Sequence, residues 1–278
     1  MAKILRRERL VPNMHLIEVY APEVAKKCKP GQFVILMPDA KGERVPLTIA
    51  DWDRERGSVT SVFMVVGTST QKLSLLNAGD EVPVYVGPLG KPSVIENYGT
   101  VLCAGGCFGI AAIHPIVRAL KAAGNRVVTL LDAKSGYLLY WEDRIKDLSD
   151  RHYVSSRDPM FQTKGYISRG IADVIGEEAR IDRVVAIGCT YLMSSCSEAT
   201  RPFGIPTVVS LNPIMVDGTG MCGGCRVTVG GDTKFACVDG PEFDAHQVDF
   251  KELAQRLKAY QEMHDRCKLA DVPAGGAA

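Results

Sequence analysis

In the first third of the chain, short apolar runs alternate with turn residues. His15-Leu-Ile-Glu-Val-Tyr20, Gln32-Phe-Val-Ile-Leu-Met37, Val45-Pro-Leu-Thr-Ile-Ala50, Gly57-Ser-Val-Thr-Ser-Val-Phe-Met-Val-Val66 and Glu81-Val-Pro-Val-Tyr-Val86 have the length and β-branched content of strands. Strands this short and closely spaced predict a closed antiparallel barrel. One short helix is expected over residues 70–76, ahead of the Asn77-Ala-Gly79-Asp80 turn. Gly87-Pro88-Leu89-Gly90-Lys91-Pro92 then reads as a hinge that stops the last strand.

From residue 100 the period changes. Val101-Leu-Cys-Ala104, Arg126-Val-Val-Thr-Leu-Leu131, His152-Tyr-Val-Ser155, Arg183-Val-Val-Ala-Ile187 and Thr207-Val-Val-Ser210 are separated by helical stretches at 110–123, 138–148, 167–178 and 191–200. This order predicts a five-stranded parallel sheet with crossover helices. Gly105-Gly106-Cys107-Phe108-Gly109 falls between the first of these strands and its helix, where free helix amides bind phosphates. The spacing is short of the full dinucleotide fingerprint, and the same glycines serve equally to seat a helix on a sheet. A closing amphipathic helix is expected over 249–268, with Phe250, Leu253, Leu257, Tyr260 and His264 along one face, followed by a tail at 271–278. The resulting division is 1–97, 98–211 and 212–270, with the tail beyond.

Composition narrows the function classes. A 278-residue chain with 46% hydrophobic and 23% charged residues is ordinary for a globular protein. A net charge of +1 gives no electrostatic basis for nucleic-acid binding. No apolar run approaches the roughly 18 residues of a spanning helix, so a cytoplasmic protein without membrane association is expected. Nine scattered cysteines in a reducing compartment suit metal or redox use for a few and burial for the others.

The concentrated chemistry lies in Asp217-Gly-Thr-Gly-Met-Cys222-Gly-Gly-Cys225, with Cys237 following after eleven residues. Gly223 and Gly224 let the backbone turn tightly enough to aim two thiolates at one centre. Arg226-Val-Thr-Val229 and Thr233-Lys-Phe-Ala236, joined through Gly230-Gly231-Asp232, form a hairpin that returns Cys237. Asp217 stands where a fourth ligand is needed. An iron-sulfur cluster fits this set, and so does tetrahedral zinc, since Cys-x-x-Cys with a distant partner is also a zinc spacing. Cys28, Cys103 and Cys267 are most simply structural thiols; Cys107 and Cys196 have no assigned use.

A barrel, then a parallel nucleotide-type sheet, then a cluster loop resembles the ferredoxin-NADP reductase superfamily over nearly the whole chain. More narrowly the chain resembles the small subunits of electron-bifurcating NADH-dependent ferredoxin:NADP oxidoreductases, also described as sulfide dehydrogenase beta subunits. The electron-transfer subunits of dihydroorotate dehydrogenase are close relatives in which a cysteine replaces the aspartate seen here as Asp217. The resemblance implies an FAD-binding six-stranded barrel, an NAD(P)(H)-binding domain and a [2Fe-2S] cluster held by Asp217, Cys222, Cys225 and Cys237. It implies that Arg44, Pro46, Leu47, Thr48, Ile49 and Ala50 form the flavin motif, with Thr48 near the flavin N5 and no acid-base catalyst required. Leu47 stands where many members stack a tyrosine, and Arg44 lies one residue further from the hydroxyl than usual. Gly67, Ser69 and Thr70 correspond to the FAD pyrophosphate segment, although Ser and Thr there also suit helix capping alone.

On the same basis Gly105, Gly106, Gly109, Ile110 and Ala111 match the pyridine-nucleotide loop, while Cys189 and Met193 fall near the nicotinamide. Ser156 and Arg157, with Lys164, suit a ribose 2′-phosphate and point toward NADP(H). A larger flavin and iron-sulfur partner subunit is implied, with ferredoxin reached through it. The rivals are the electron-transfer subunit of dihydroorotate dehydrogenase, a hydrogenase or sulfide reductase subunit, and, in another class, a zinc-bearing non-enzymatic interaction protein.

Overall fold

The computed structural model describes residues 1–158 and 166–259. The first sheet contains β1 (Ala2–Val11), β2 (Met14–Tyr20), β3 (Phe33–Met37), β4 (Val45–Asp53), β5 (Ser58–Met64), β6 (Glu81–Val82) and β7 (Val84–Leu89) in the order β6-β1-β2-β5-β4-β3-β7. All neighbours are antiparallel. β6 and β7 are one stretch of chain interrupted at Pro83. One half pairs with β1 and the other with β3, so the sheet nearly closes into a barrel.

Helices α1 (Pro22–Lys27) and α2 (Thr68–Leu75) decorate this barrel. The expected barrel is therefore present, with one strand the apolar pattern did not mark: β1 carries Arg6, Arg7, Glu8 and Arg9 and fully buries Ile4. The hinge expected at 87–92 is also displaced, because β7 continues through Pro88 to Leu89.

The second sheet runs β10-β9-β8-β11-β12-β15, from β8 (Thr100–Gly106), β9 (Arg126–Ala133), β10 (Arg151–Ser156), β11 (Arg183–Ile187), β12 (Thr207–Ser210) and β15 (Glu242–Asp244). The five expected strands are parallel. A sixth, β15, adds an antiparallel edge contributed by the C-terminal segment. Helices α3 (Gly109–Ala122) and α4 (Glu142–Lys146) cover one face, and α5 (Ile167–Glu177) and α6 (Thr190–Thr200) the other. The helix expected over 138–148 is shorter than its pattern suggests. Trp141 adopts a left-handed φ of 55° that breaks the run, leaving a 3-10 turn at Gly136–Leu138 and then α4.

The cysteine segment forms the hairpin β13 (Arg226–Val229) and β14 (Asp232–Phe235). Gly230 and Gly231 both have positive φ, as a two-residue turn of this type requires. The closing helix α7 (Phe250–Lys258) is capped by Asp249, whose carboxylate accepts the Glu252 amide at 2.9 Å. Tyr260, His264, Cys267 and the 271–278 tail lie outside the described residues.

β3 locks these parts together. Its run is apolar at every position because both faces are covered: Val34 and Leu36 point into the barrel, whereas Phe33 and Ile35 pack outward on Met215, Cys225 and Cys237. The barrel meets the second sheet through α3, whose Ile110 and Ile113 share a core with Met14, Leu16, Ala50 and Val62.

Candidate functional site

A cavity of about 410 Å³ opens where the three parts converge. Its barrel wall is Val45, Pro46, Leu47 and Thr48 from β4, with Phe33, Phe63 and Met64. Ile187, Cys189, Thr190 and Ser210 enter from the carboxyl ends of β11 and β12, which is where open parallel sheets bind ligands. Asn212, Met215 and Pro241 arrive from the C-terminal segment. The volume suits a small-molecule site, and the lining is mainly apolar with a few polar groups. Among the described residues the Asn212 side-chain oxygen is buried without a hydrogen-bond partner. An orphaned acceptor of this kind is costly unless a ligand donates to it.

Of the residues expected to form the flavin motif, Pro46, Leu47 and Thr48 face the cavity. Ile49 is fully buried in the barrel interior. Ala50 is buried against α3, and its carbonyl accepts the Nδ1–H of His114 at 3.2 Å. Burial lowers the pKa of His114, consistent with a neutral ring donating there. Arg44 is exposed just ahead of β4.

In the second expected segment, the Thr70 hydroxyl accepts the amides of Val66 and Gly67 at 3.0 Å and donates to the Gly67 carbonyl at 2.9 Å. Ser69 accepts the Glu43 amide at 3.0 Å and donates to the Glu43 carboxylate at 3.3 Å. Both hydroxyls thus cap α2 or tie it to the loop before β4. Thr70 and Val66 still form part of the cavity wall.

The glycine loop is shaped by close packing. A Cβ on Gly109 would collide with the Ile187 carbonyl, and one on Gly106 would strike Leu192. The Ile110 amide donates to the Cys107 carbonyl and the Ala111 amide to the Tyr140 hydroxyl, each at 3.3 Å. Those two amides are therefore engaged within the protein, Gly105 is a ladder residue paired with Ile187, and Phe108 is the residue of this loop on the cavity wall.

Cys189 is exposed at the N-cap of α6. Met193 is the clear displacement from expectation: it lies fully buried in the sheet core with Cys196 and Val209 and does not line the cavity. Ser156 is buried and accepts the Asp158 amide at 3.1 Å, whereas Arg157 is exposed with its guanidinium 4.7 Å from the Tyr166 ring centroid. Tyr166 and Tyr191 are half-exposed and meet edge to face at 6.4 Å, an aromatic ledge that the sequence reading did not single out. Burial raises the pKa of Asp132 nearby, with Ser155 and Arg157 opposing the shift. Lys164 lies outside the described residues.

In the cysteine loop, the sulfurs of Cys225 and Cys237 are buried 3.2 Å apart, while Cys222 is exposed. Amides point at sulfur: Gly224 toward Cys222 and Cys237 toward Cys225, each at 3.4 Å. Asp217 accepts the Thr219 amide at 2.8 Å and the Cys222 amide at 2.7 Å, which hold its carboxyl below the ordinary carboxylate range. Among the described residues no three His, Cys, Asp or Glu side chains converge as a single-ion site. The four expected ligands instead fall into two pairs, Cys225 with Cys237 and Asp217 beside Cys222. Gly218, at a φ of 71°, lets the loop lie against Ile35 and Leu89 of the barrel. Phe33 and Met215 belong both to the cavity wall and to the apolar cluster around Cys225 and Cys237.

Residues 212–249 match a family model described as the iron-sulfur cluster binding domain of dihydroorotate dehydrogenase B. The chain is 46% identical to a dihydroorotate dehydrogenase B (NAD(+)) electron transfer subunit homolog of Thermotoga maritima, over 94% of this chain and 92% of the relative. A solved structure reporting on flavin-based electron bifurcation in the NADH-dependent reduced ferredoxin-NADP oxidoreductase is 44% identical, covers 96% of each chain and has a TM-score of 0.91. A ferredoxin NADP+ reductase of Neisseria gonorrhoeae with bound FAD and NADP shares the fold at 14% identity and a TM-score of 0.57, over 73% of this chain and 90% of the other.

Proposed function

Since the chain belongs to the family of dihydroorotate dehydrogenase B electron-transfer subunits and their homologues, within the ferredoxin-NADP reductase superfamily, we propose that it is the FAD- and iron-sulfur-containing subunit of a pyridine-nucleotide oxidoreductase. In this role it exchanges electrons with NAD(P)(H) on one side and a larger partner subunit on the other. The carrying observation is the shared wall: Phe33 and Met215 line the cavity and belong to the same buried cluster as Cys225 and Cys237. When bound, the flavin supplies hydride transfer and the cluster single-electron chemistry.

The chain's own residues supply position. Pro46 and Leu47 offer an apolar face for a planar ring, and Thr48 places a hydroxyl beside it. Asn212 presents an acceptor that a ring N–H satisfies. Phe63 and Met64 exclude water from the barrel side. Thr190, at the amino end of α6, faces the cavity, and Arg157 with Tyr166 offers charge and an aromatic surface just beyond the carboxyl end of β10. In the cysteine loop, backbone amides point at the Cys222 and Cys225 sulfurs, and the two pairs of expected ligands suit a two-iron centre better than one tetrahedral zinc. The division is accordingly a flavin barrel over 1–97, a nucleotide domain over 98–211 and a cluster segment over 212–270.

Within the family we assign the chain to the electron-bifurcating ferredoxin-NADP type. Asp217 at the first ligand position supports this, as does 44% identity across 96% of the solved oxidoreductase chain. The dihydroorotate dehydrogenase reading is favoured by the description of the Thermotoga maritima relative, and the partner that copurifies separates the two. The reading is tested with Cys222→Ser, purified anaerobically with the partner. Flavin absorption and its bleaching by NAD(P)H should persist, while cluster absorption and onward reduction of the partner are lost. An unchanged spectrum together with undiminished partner reduction would refute the relay.

A further inference from the structure

We propose that Cys107 and Cys189 form a dithiol at the mouth of the cavity that a low-molecular-weight disulfide oxidises to an intramolecular disulfide, closing the entrance on the nucleotide side. The placement follows from register. β8 and β11 are neighbouring parallel strands whose last ladder pair is Gly105 with Ile187, and each cysteine stands two residues beyond its member of that pair. The chains stay together past the ladder: a Cβ on Gly188 would lie 3.1 Å from the Gly106 carbonyl oxygen, and one on Gly109 would lie 2.9 Å from the Gly188 nitrogen. Neighbouring strands at this separation fall within the reach of a disulfide.

Both residues are exposed, and their preceding neighbours Gly106 and Gly188 carry no side chain to stand between them. Cys107 is held on this edge in a left-handed conformation with a φ of 52°, its carbonyl accepting the Tyr140 hydroxyl at 2.8 Å. Cys189 lines the cavity, as does Phe108 next to Cys107.

The two sulfurs have different roles. Cys189, which lines the cavity at the N-cap of an eleven-residue helix, meets the incoming small disulfide first and is the attacking sulfur. Partial burial, with Cys189 and Asp132 nearby, pushes the Cys107 thiol up to about 11, so it enters second. Cys189 displaces one thiolate from the small disulfide to give a mixed disulfide. Cys107 then loses its proton to solvent, attacks the Cys189 sulfur and expels the second small thiolate. Two protein thiols are oxidised and one small disulfide is reduced to two thiols, which take up the protons released. Cys28, Cys103 and Cys196 are buried with their thiols pushed upward, and none shares this exposure.

The bridge itself needs no assumption about function; only its effect on nucleotide entry rests on the reductase reading. The anaerobic holoprotein is treated with oxidised glutathione, digested without reductant and mapped. A linked peptide pair carrying Cys107 and Cys189 is expected, with a KM for the reduced pyridine nucleotide raised at least about tenfold. Dithiothreitol should reverse both, and Cys107→Ser should keep the original KM under the same treatment. Adducts on separate cysteines with no linked pair would overturn the proposal, as would linkage without a change in KM. Failure of the untreated protein to oxidise NAD(P)H would instead count against the reductase reading.

Discussion

Gly109 is a residue at which the fold has no room for even a methyl group, because the Ile187 carbonyl occupies that space. Gly109→Ala is expected to cost about 1–3 kcal/mol in urea denaturation. By contrast Gly176, within α5 and with nothing near its would-be Cβ, should gain roughly 0.5–1 kcal/mol on conversion to Ala. Asn212 tests the cavity directly: its unpaired oxygen predicts that Asn212→Leu weakens FAD binding about tenfold while leaving the melting temperature nearly unchanged, measured by flavin fluorescence titration. At this scale the sequence was a partial guide. Pro46, Leu47 and Thr48, which a motif names as consecutive positions, share the cavity wall. Met193 was misplaced because the phase of α6, which turns it inward, depends on packing against β12. Asn212 and Met215 carried no local signal at all; their importance arises only when the C-terminal segment folds back over the barrel.

Among elements, α2 shows how two readings of one motif resolve. Its Thr70 hydroxyl is committed to the Val66 and Gly67 amides, so Thr70→Val should lower stability by about 1 kcal/mol in chemical denaturation. Strands buried on both faces, such as β3 and β11, were legible as continuous apolar runs. β1 was not, because the barrel demands only Ile4 from it and solvent receives most of its charges. β15 spans three residues, and its pairing with β12 links positions more than thirty apart in sequence, so no local pattern announces it.

Across the whole molecule, Asp51 joins the barrel to the second sheet through Arg118 of α3 at 2.9 Å and Arg144 of α4 at 2.6 Å. Burial pushes its carboxyl up, but the hydrogen bonds from Arg144 and Arg118 outweigh this and leave its pKa lowered. A carboxyl depressed on folding contributes stability that is present above its unfolded value of about 3.9 and is lost as pH falls through the folded value. Melting temperatures should therefore drop below about pH 4, and Asp51→Asn should lower stability at neutral pH while flattening that acid limb. The barrel, the parallel sheet and the cysteine loop were each legible alone. Their convergence on one cavity depends on β3 presenting alternate residues to two cores. The central claim, that one chain holds a flavin and a cluster across the Phe33 and Met215 wall, is tested most directly by the absorption spectrum and metal content of the anaerobically purified protein. The account predicts flavin bands superposed on broad iron-sulfur absorption, with iron and not zinc in stoichiometric amount; a colourless protein carrying stoichiometric zinc would contradict it.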